Sequence, residues 1–278
     1  MSARRTIVLC ARQELALAVR SRWTQVFAAV FAALALAVSA SGYVLSGGLG
    51  VQDFARTAVS LVQLVLLLVP VTALLIGVTS LAPEREAEIL FSQPVRREAV
   101  LLGRLLGLFA ALAAAQGLGL GAAGLVVFSQ SGADGLAGYA ALAAGALALT
   151  AVSLGVAALI AVRGLGRGRA RPLAVALVTW FAAVVLFDVA ALGAASLLPS
   201  GYASRLLIVS VIVNPVDAVR TSVLFAIEGT AAFGAASLAF LRFTGGPWKA
   251  GALLAASVAL WAFAPAWLAM RRVGKADI

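Results

Sequence analysis

The chain has 278 residues, of which 63% are hydrophobic, with a mean hydropathy of +1.07. That excludes a soluble globular domain, which is about 45–50% apolar. The formal charge of +10 and pI near 11.3 would suit nucleic acid, but the cations sit in short segments beside apolar runs, so no nucleic-acid role is expected.

Residues 3–22 read as one helix without Pro or Gly. Arg5, Arg12 and Arg20 fall near one stripe, and Ile7, Cys10, Ala11 and Ala18 roughly oppose it, while Leu9 and Glu14 break the pattern. The expectation is a helix lying in the cytoplasmic headgroup layer. Cys10 is the single cysteine, so no intrachain disulfide can form.

Six apolar spans follow, at 25–46, 58–82, 104–128, 137–162, 173–198 and 250–270, each long enough to cross ~30 Å of hydrocarbon. The run from Val26 to Leu45 exceeds the core of a cleaved signal, so the first span is expected to stay. Of the 21 Lys and Arg, most lie in the amino tail up to Arg22, between Arg85 and Arg104, between Arg163 and Arg171, and in the carboxyl tail at Arg271, Arg272 and Lys275. The other side holds Arg56, Arg205, Arg220, Arg242 and Lys249. Cytoplasmic loops collect Lys and Arg, so both termini are expected in the cytoplasm. The class is an all-α integral membrane protein with a single transmembrane domain over 1–278.

The connection after the second span is the most structured. It runs Pro83-Glu84-Arg85-Glu86, through Ile89, Leu90 and Phe91, to Ser92-Gln93-Pro94-Val95-Arg96. Pro83 suits a first helical position, Glu84 and Glu86 complement the helix dipole, and Pro94 stops that helix and can begin another. Two short helices joined at an angle beside the membrane make a charged handle. The glycine- and arginine-rich connection at 163–172 is expected only to fix topology and touch lipid phosphates.

In the third span, Gly103/Gly107 and Gly117/Gly121 have the spacing that lets helices approach closely. Gln63 and Gln116 are expected to hydrogen-bond between helices. Asp188, deep in the fifth span, is expected to pair with a far-side arginine such as Arg205 or to hydrogen-bond within the bundle.

Residues 199–249 form the longest stretch between spans. Leu206–Val213 is apolar but too short to cross, and it ends at Asn214-Pro215-Val216-Asp217. Asn214 as cap, Pro215 at the first position and Asp217 in the first turn specify a helix start, with Arg220 on Asp217's face. The expectation is a re-entrant far-side hairpin. Its rival is a seventh span over 221–241, which Glu228-Gly229 would interrupt and which would place the basic carboxyl tail outside.

No phosphate-binding Gly-x-x-x-x-Gly-Lys-Ser/Thr loop exists, and with no histidine neither a His-Glu-x-x-His zinc site nor a Ser-His pair can be built. A structured handle without an energy-coupling site implies an external motor.

On these residues the chain resembles the ABC type-2 exporter permeases, and among them the NosY-like permease subunits of nitrous oxide reductase maturation transporters. The likeness rests on Glu14 and Arg20-Ser21-Arg22-Trp23, on Glu84-Arg85-Glu86, on Ser92-Gln93-Pro94-Val95, and on Leu101 to Gly107. More specifically it rests on Phe187-Asp188 and Asn214-Pro215-Val216-Asp217 with Arg220, while Ala87-Glu88-Ile89 departs from the usual Gly-Thr-Leu. The resemblance implies a bacterial inner-membrane homodimer served by two cytoplasmic ATPases, which would bind ATP and Mg while this chain binds no cofactor. Residues 84–98 would form the coupling region. A periplasmic β-helical protein could dock on the far side, with Asn214, Pro215, Asp217 and Arg220 at the turn or contact. The cargo would serve a copper–sulfur centre. Copper(I) prefers thiolate and thioether ligands, yet no Cys or Met lies in the first five spans or the hairpin, so a sulfur species or mechanical work is expected instead of bare copper. The alternatives are an exporter permease for drugs, lipids or peptides, and a self-sufficient secondary carrier.

Overall fold

The computed structural model describes residues 2–44, 51–81, 96–131, 135–164, 170–229 and 235–275, and every regular element there is helical. In chain order they are α1 (Ala3–Arg20), α2 (Arg22–Val44), α3 (Val51–Leu81), α4 (Arg97–Ser131), α5 (Leu136–Arg163) and α6 (Ala170–Phe181). A π-helical turn, Ala182–Leu186, joins α6 to α7 (Phe187–Ser196). Then come α8 (Ser200–Val213), α9 (Pro215–Glu228), α10 (Ala235–Thr244) and α11 (Pro247–Lys275).

Among the described residues six helices are long and apolar enough to cross a membrane, and they coincide with the six spans read from the sequence. The third begins earlier than expected, at Arg97, so Arg104 lies two turns inside a helix rather than in a connection. The rival seventh span does not form as one helix: α9 ends at Glu228, Gly229 takes φ +64°, and α10 starts only at Ala235. That φ is left-handed, which glycine adopts without steric cost.

The core lies among α3, α4 and α5, where Leu61, Leu66, Leu108, Leu112, Leu142 and Leu149 are fully buried. Burial is uneven. Over an 18-residue apolar stretch 61% of positions are buried in the second and fourth spans, but only 6% in the fifth. Close approach is set by glycines: at Gly155 of α5 a Cβ would stand 2.9 Å from the Ala262 carbonyl oxygen of α11. The expected turn at Pro94 lies outside the described residues, as do Glu84, Arg85, Glu86, Ser92, Gln93 and Val95.

Candidate functional site

Two arginine-centred clusters stand out, one where α1 meets α4 and one at the bend between α8 and α9. The first joins α1, α3 and α4. Gly103 and Gly107 bring α1 against α4 backbone to backbone: a Cβ at Gly103 would lie 2.7 Å from both the Ile7 carbonyl oxygen and the Cys10 Cβ, and one at Gly107 would lie 2.5 Å from the Ala11 carbonyl oxygen. That fit turns Glu14 inward, where it is buried and accepts a 2.9 Å hydrogen bond from Arg104 Nε. The Arg104 guanidinium also donates to the Ser80 carbonyl, one residue before α3 ends. One side chain therefore ties the amino-terminal helix to the last turn of the second span. Burial pushes the Cys10 thiol above its ordinary pKa, and the nearby Arg104 charge offsets part of that rise.

The sequence reading placed the apolar side of α1 correctly but took Glu14 as a flaw in the pattern. A carboxylate on the buried face of a helix was the signal, because burying a charge demands a partner.

The second cluster centres on the bend between α8 and α9, which meet at 99°. Asn214 caps α9, its Oδ1 accepting from Val216 N at 3.1 Å. Its Nδ2 donates to Asp217 Oδ2 at 3.0 Å and to the Ala183 carbonyl at 2.8 Å. Ala183 lies in the π-helical turn, which interrupts the regular α-helical bonding of the fifth span and leaves that carbonyl for Asn214. The last carbonyls of α8, which have no partner within their own helix, are met from α11: Ser257 Oγ donates to Ile212 O, and Trp261 Nε1 to Val213 O at 2.9 Å. The bend is thus satisfied by side chains, as irregular backbone at membrane depth requires.

Arg220 completes this cluster, pairing with Asp217 at 3.0 Å and with Asp188 of the fifth span at 2.9 Å. The Asp217–Arg220 pairing was legible from their three-residue spacing. Asp188 was expected to pair with a far-side arginine, such as Arg205, or to hydrogen-bond within the bundle; it does pair with a far-side arginine, but that arginine is Arg220, delivered by α9, while Arg205 is exposed on α8. Ser257 and Trp261 were not foreseen, since nothing in the sequence shows which carbonyls a distant helix will meet.

Of the two glutamines, Gln116 is buried and donates to Thr150 Oγ1 at 2.7 Å across α4 and α5. Gln63 faces outward on α3 with Leu67, because its position falls on the stripe turned away from α5. The expected interhelical role for Gln63 within this chain is therefore not what the packing gives. Gly117 and Gly121 also differ from the first glycine pair, for nothing lies within 4 Å of a Cβ built on either. Arg96 is exposed just ahead of α4.

The model of the ABC-2 family transporter proteins matches residues 8–278, so it takes in both clusters. The chain belongs to that family. Among similar proteins, one from Pseudomonas aeruginosa named probable ABC transporter permease protein NosY is 32% identical over 266 residues, covering 93% of this chain and 94% of its own. A protein of the same name from Stutzerimonas stutzeri is 30% identical over 237 residues, covering 82% and 85%. The chain is accordingly an ABC-2 permease, the membrane-spanning component of an ABC transporter, and it resembles NosY permeases over most of its length.

Proposed function

We propose that this permease is driven by two copies of a cytoplasmic ATPase, works as a pair of identical subunits in the bacterial inner membrane with both termini cytoplasmic, and serves maturation of a periplasmic copper enzyme such as nitrous oxide reductase. The observation that carries the motor-driven reading is the Arg104 contact. It holds α1, α4 and the final turn of α3 together at the point where the chain enters the acidic, proline-bounded connection. A push on residues 84–98 would then move three helices as one body. α1 suits a position in the headgroup layer, because Val8, Leu9, Leu17 and Val19 are exposed beside Arg5, Arg12 and Arg20. Arg271 stacked 3.6 Å over the Trp267 ring suits the cytoplasmic interface at the other terminus.

The maturation role rests on the names of the two relatives and on Asp188, Asn214, Asp217 and Arg220, which meet in one cluster at the bend. A periplasmic β-helical partner would dock on that side.

The test is reconstitution with the ATPase. Charge reversal at Glu84 or Glu86 should leave the permease inserted while hydrolysis no longer responds to its presence. If hydrolysis remains coupled in both variants, the connection is not the coupling element. If the permease alone sustains uphill transport, the motor-driven reading fails.

A further inference from the structure

A groove of about 500 Å³ opens on the surface of the bundle between α4, α5 and α11. Its lining consists of Leu, Ala, Phe, Gly, Met and Trp residues only. Gly155 lets α11 approach α5 closely at Ala262, and Leu106, Phe263 and Trp267 stay exposed around the hollow. Such a lining receives hydrocarbon, but by itself it would not say from what.

Length and charge both point to the occupant. Along α11 the lining runs from Leu260 to Met270, about 15 Å of helix, or half of the ~30 Å hydrocarbon layer. On α4 it is shorter still, from Leu102 to Phe109, near the end that begins at Arg97. A membrane-crossing partner helix would cover a trough running through both leaflets, and this one stops half-way. An acyl chain fills one leaflet only. The Arg271 guanidinium lies 3.6 Å from the centre of the Trp267 ring, and that ring belongs to the lining, so a cation stands at the end of the groove. Contact with the ring face leaves the guanidinium N–H groups able to donate. Arg272 is exposed beside it, and among the described residues neither arginine meets a carboxylate. A second copy docked by this same face would bring its own Arg271 to the same depth, cation against cation.

We propose that this groove seats one acyl chain of an anionic phospholipid, whose phosphate accepts hydrogen bonds from Arg271 while Arg272 adds charge. Burial of hydrocarbon holds the chain, and the guanidinium selects the headgroup. A zwitterionic lipid offers the same phosphate but carries its own cation to the arginines, so the anionic lipid is favoured. This inference is independent of the ATPase-driven reading.

Photolabelling from the acyl chain tests it. The full chain is placed in phosphatidylcholine liposomes with a trace of phosphatidylglycerol bearing a diazirine on one acyl chain, or of phosphatidylcholine bearing the same group. Labelling of residues 102–109 and 260–270 should be about fivefold higher from phosphatidylglycerol, the preference that one arginine gives near anionic headgroups. Arg271→Gln should bring the two lipids to parity, whereas Arg205→Gln, which removes an exposed cation on α8, should leave the preference intact. The two lipids are compared first on the unaltered chain, so a folding defect in the Arg271 variant cannot hide the answer. Inorganic phosphate at matched ionic strength should not reduce the labelling; a reduction would assign the arginines to a free anion and overturn the proposal. Equal labelling by both lipids, or an unchanged preference in Arg271→Gln, would overturn it as well. So would groove segments that neither lipid labels, which would give this face to a protein partner, a second copy included.

Discussion

The two arginine clusters use the same chemistry in opposite settings. At the α1–α4 contact, one guanidinium meets one carboxylate inside backbone-close packing, and Glu14 and Arg104 side chains are only 7% and 16% exposed. At the α8–α9 bend, one guanidinium is shared by two carboxylates, Arg220 and Asp188 are 25% and 30% exposed, and the span that carries Asp188 is scarcely buried. The first cluster is a rivet in a rigid body. The second is a tether holding a loosely packed span to a bent hairpin, with one acid more than its arginine neutralises.

That contrast orders the expected losses. Arg104→Met leaves Glu14 buried without a counter-charge and frees the Ser80 carbonyl, so it should cost about 3 kcal/mol or more. Asp188→Asn leaves Arg220 paired with Asp217, so it should cost only about 1 kcal/mol. Thermal unfolding of the purified permease in detergent would show the ranking. Equal losses would mean that the fifth span is held as firmly as the amino-terminal helix.

Glycine spacing sharpens the same contrast from the packing side. Gly107→Val would drive a side chain into the Ala11 carbonyl and the Glu14 Cβ, and should cost about 2 kcal/mol by lifting α1 from α4. Gly117→Val meets nothing within 4 Å and should fall within about 0.5 kcal/mol of the parent. Comparable destabilisation at both positions would show that helix propensity, and not the contact with α1, controls these sites.

Much of this architecture was legible because hydrophobic length and turn chemistry act locally. The six spans follow from run length, and the start of α9 follows from Asn214-Pro215-Val216-Asp217, whose cap and first turn are satisfied within four residues. Pairings across helices were less legible. Asp188 needed a cation, but choosing Arg220 over Arg205 depends on the 99° bend, which sets which face of α9 meets the fifth span. Gly103/Gly107 and Gly117/Gly121 have identical spacing, yet one pair seats a helix and the other lies open. Spacing reports that a helix can approach, and only the rest of the packing says from where.

The smallest effect concerns Cys10, which reports whether the rivet is closed. Its thiol is partly buried beside Gly103, and that burial raises its pKa above the ordinary 9.0 despite the opposing charge of Arg104. A docked α1 thus favours the protonated thiol. Its contribution to stability is complete below pH 9.0 and declines as pH climbs from there through the raised value. Alkylation needs the thiolate, so the rate-against-pH curve of the folded permease should be displaced to higher pH than that of the chain unfolded in detergent. Gly107→Val, by lifting α1, should move the curve back toward the unfolded one while leaving the maximum rate unchanged. Coincident curves for the folded and unfolded parent would mean that α1 is not seated on α4 in the isolated permease, and the rivet would then require the membrane or the motor to form.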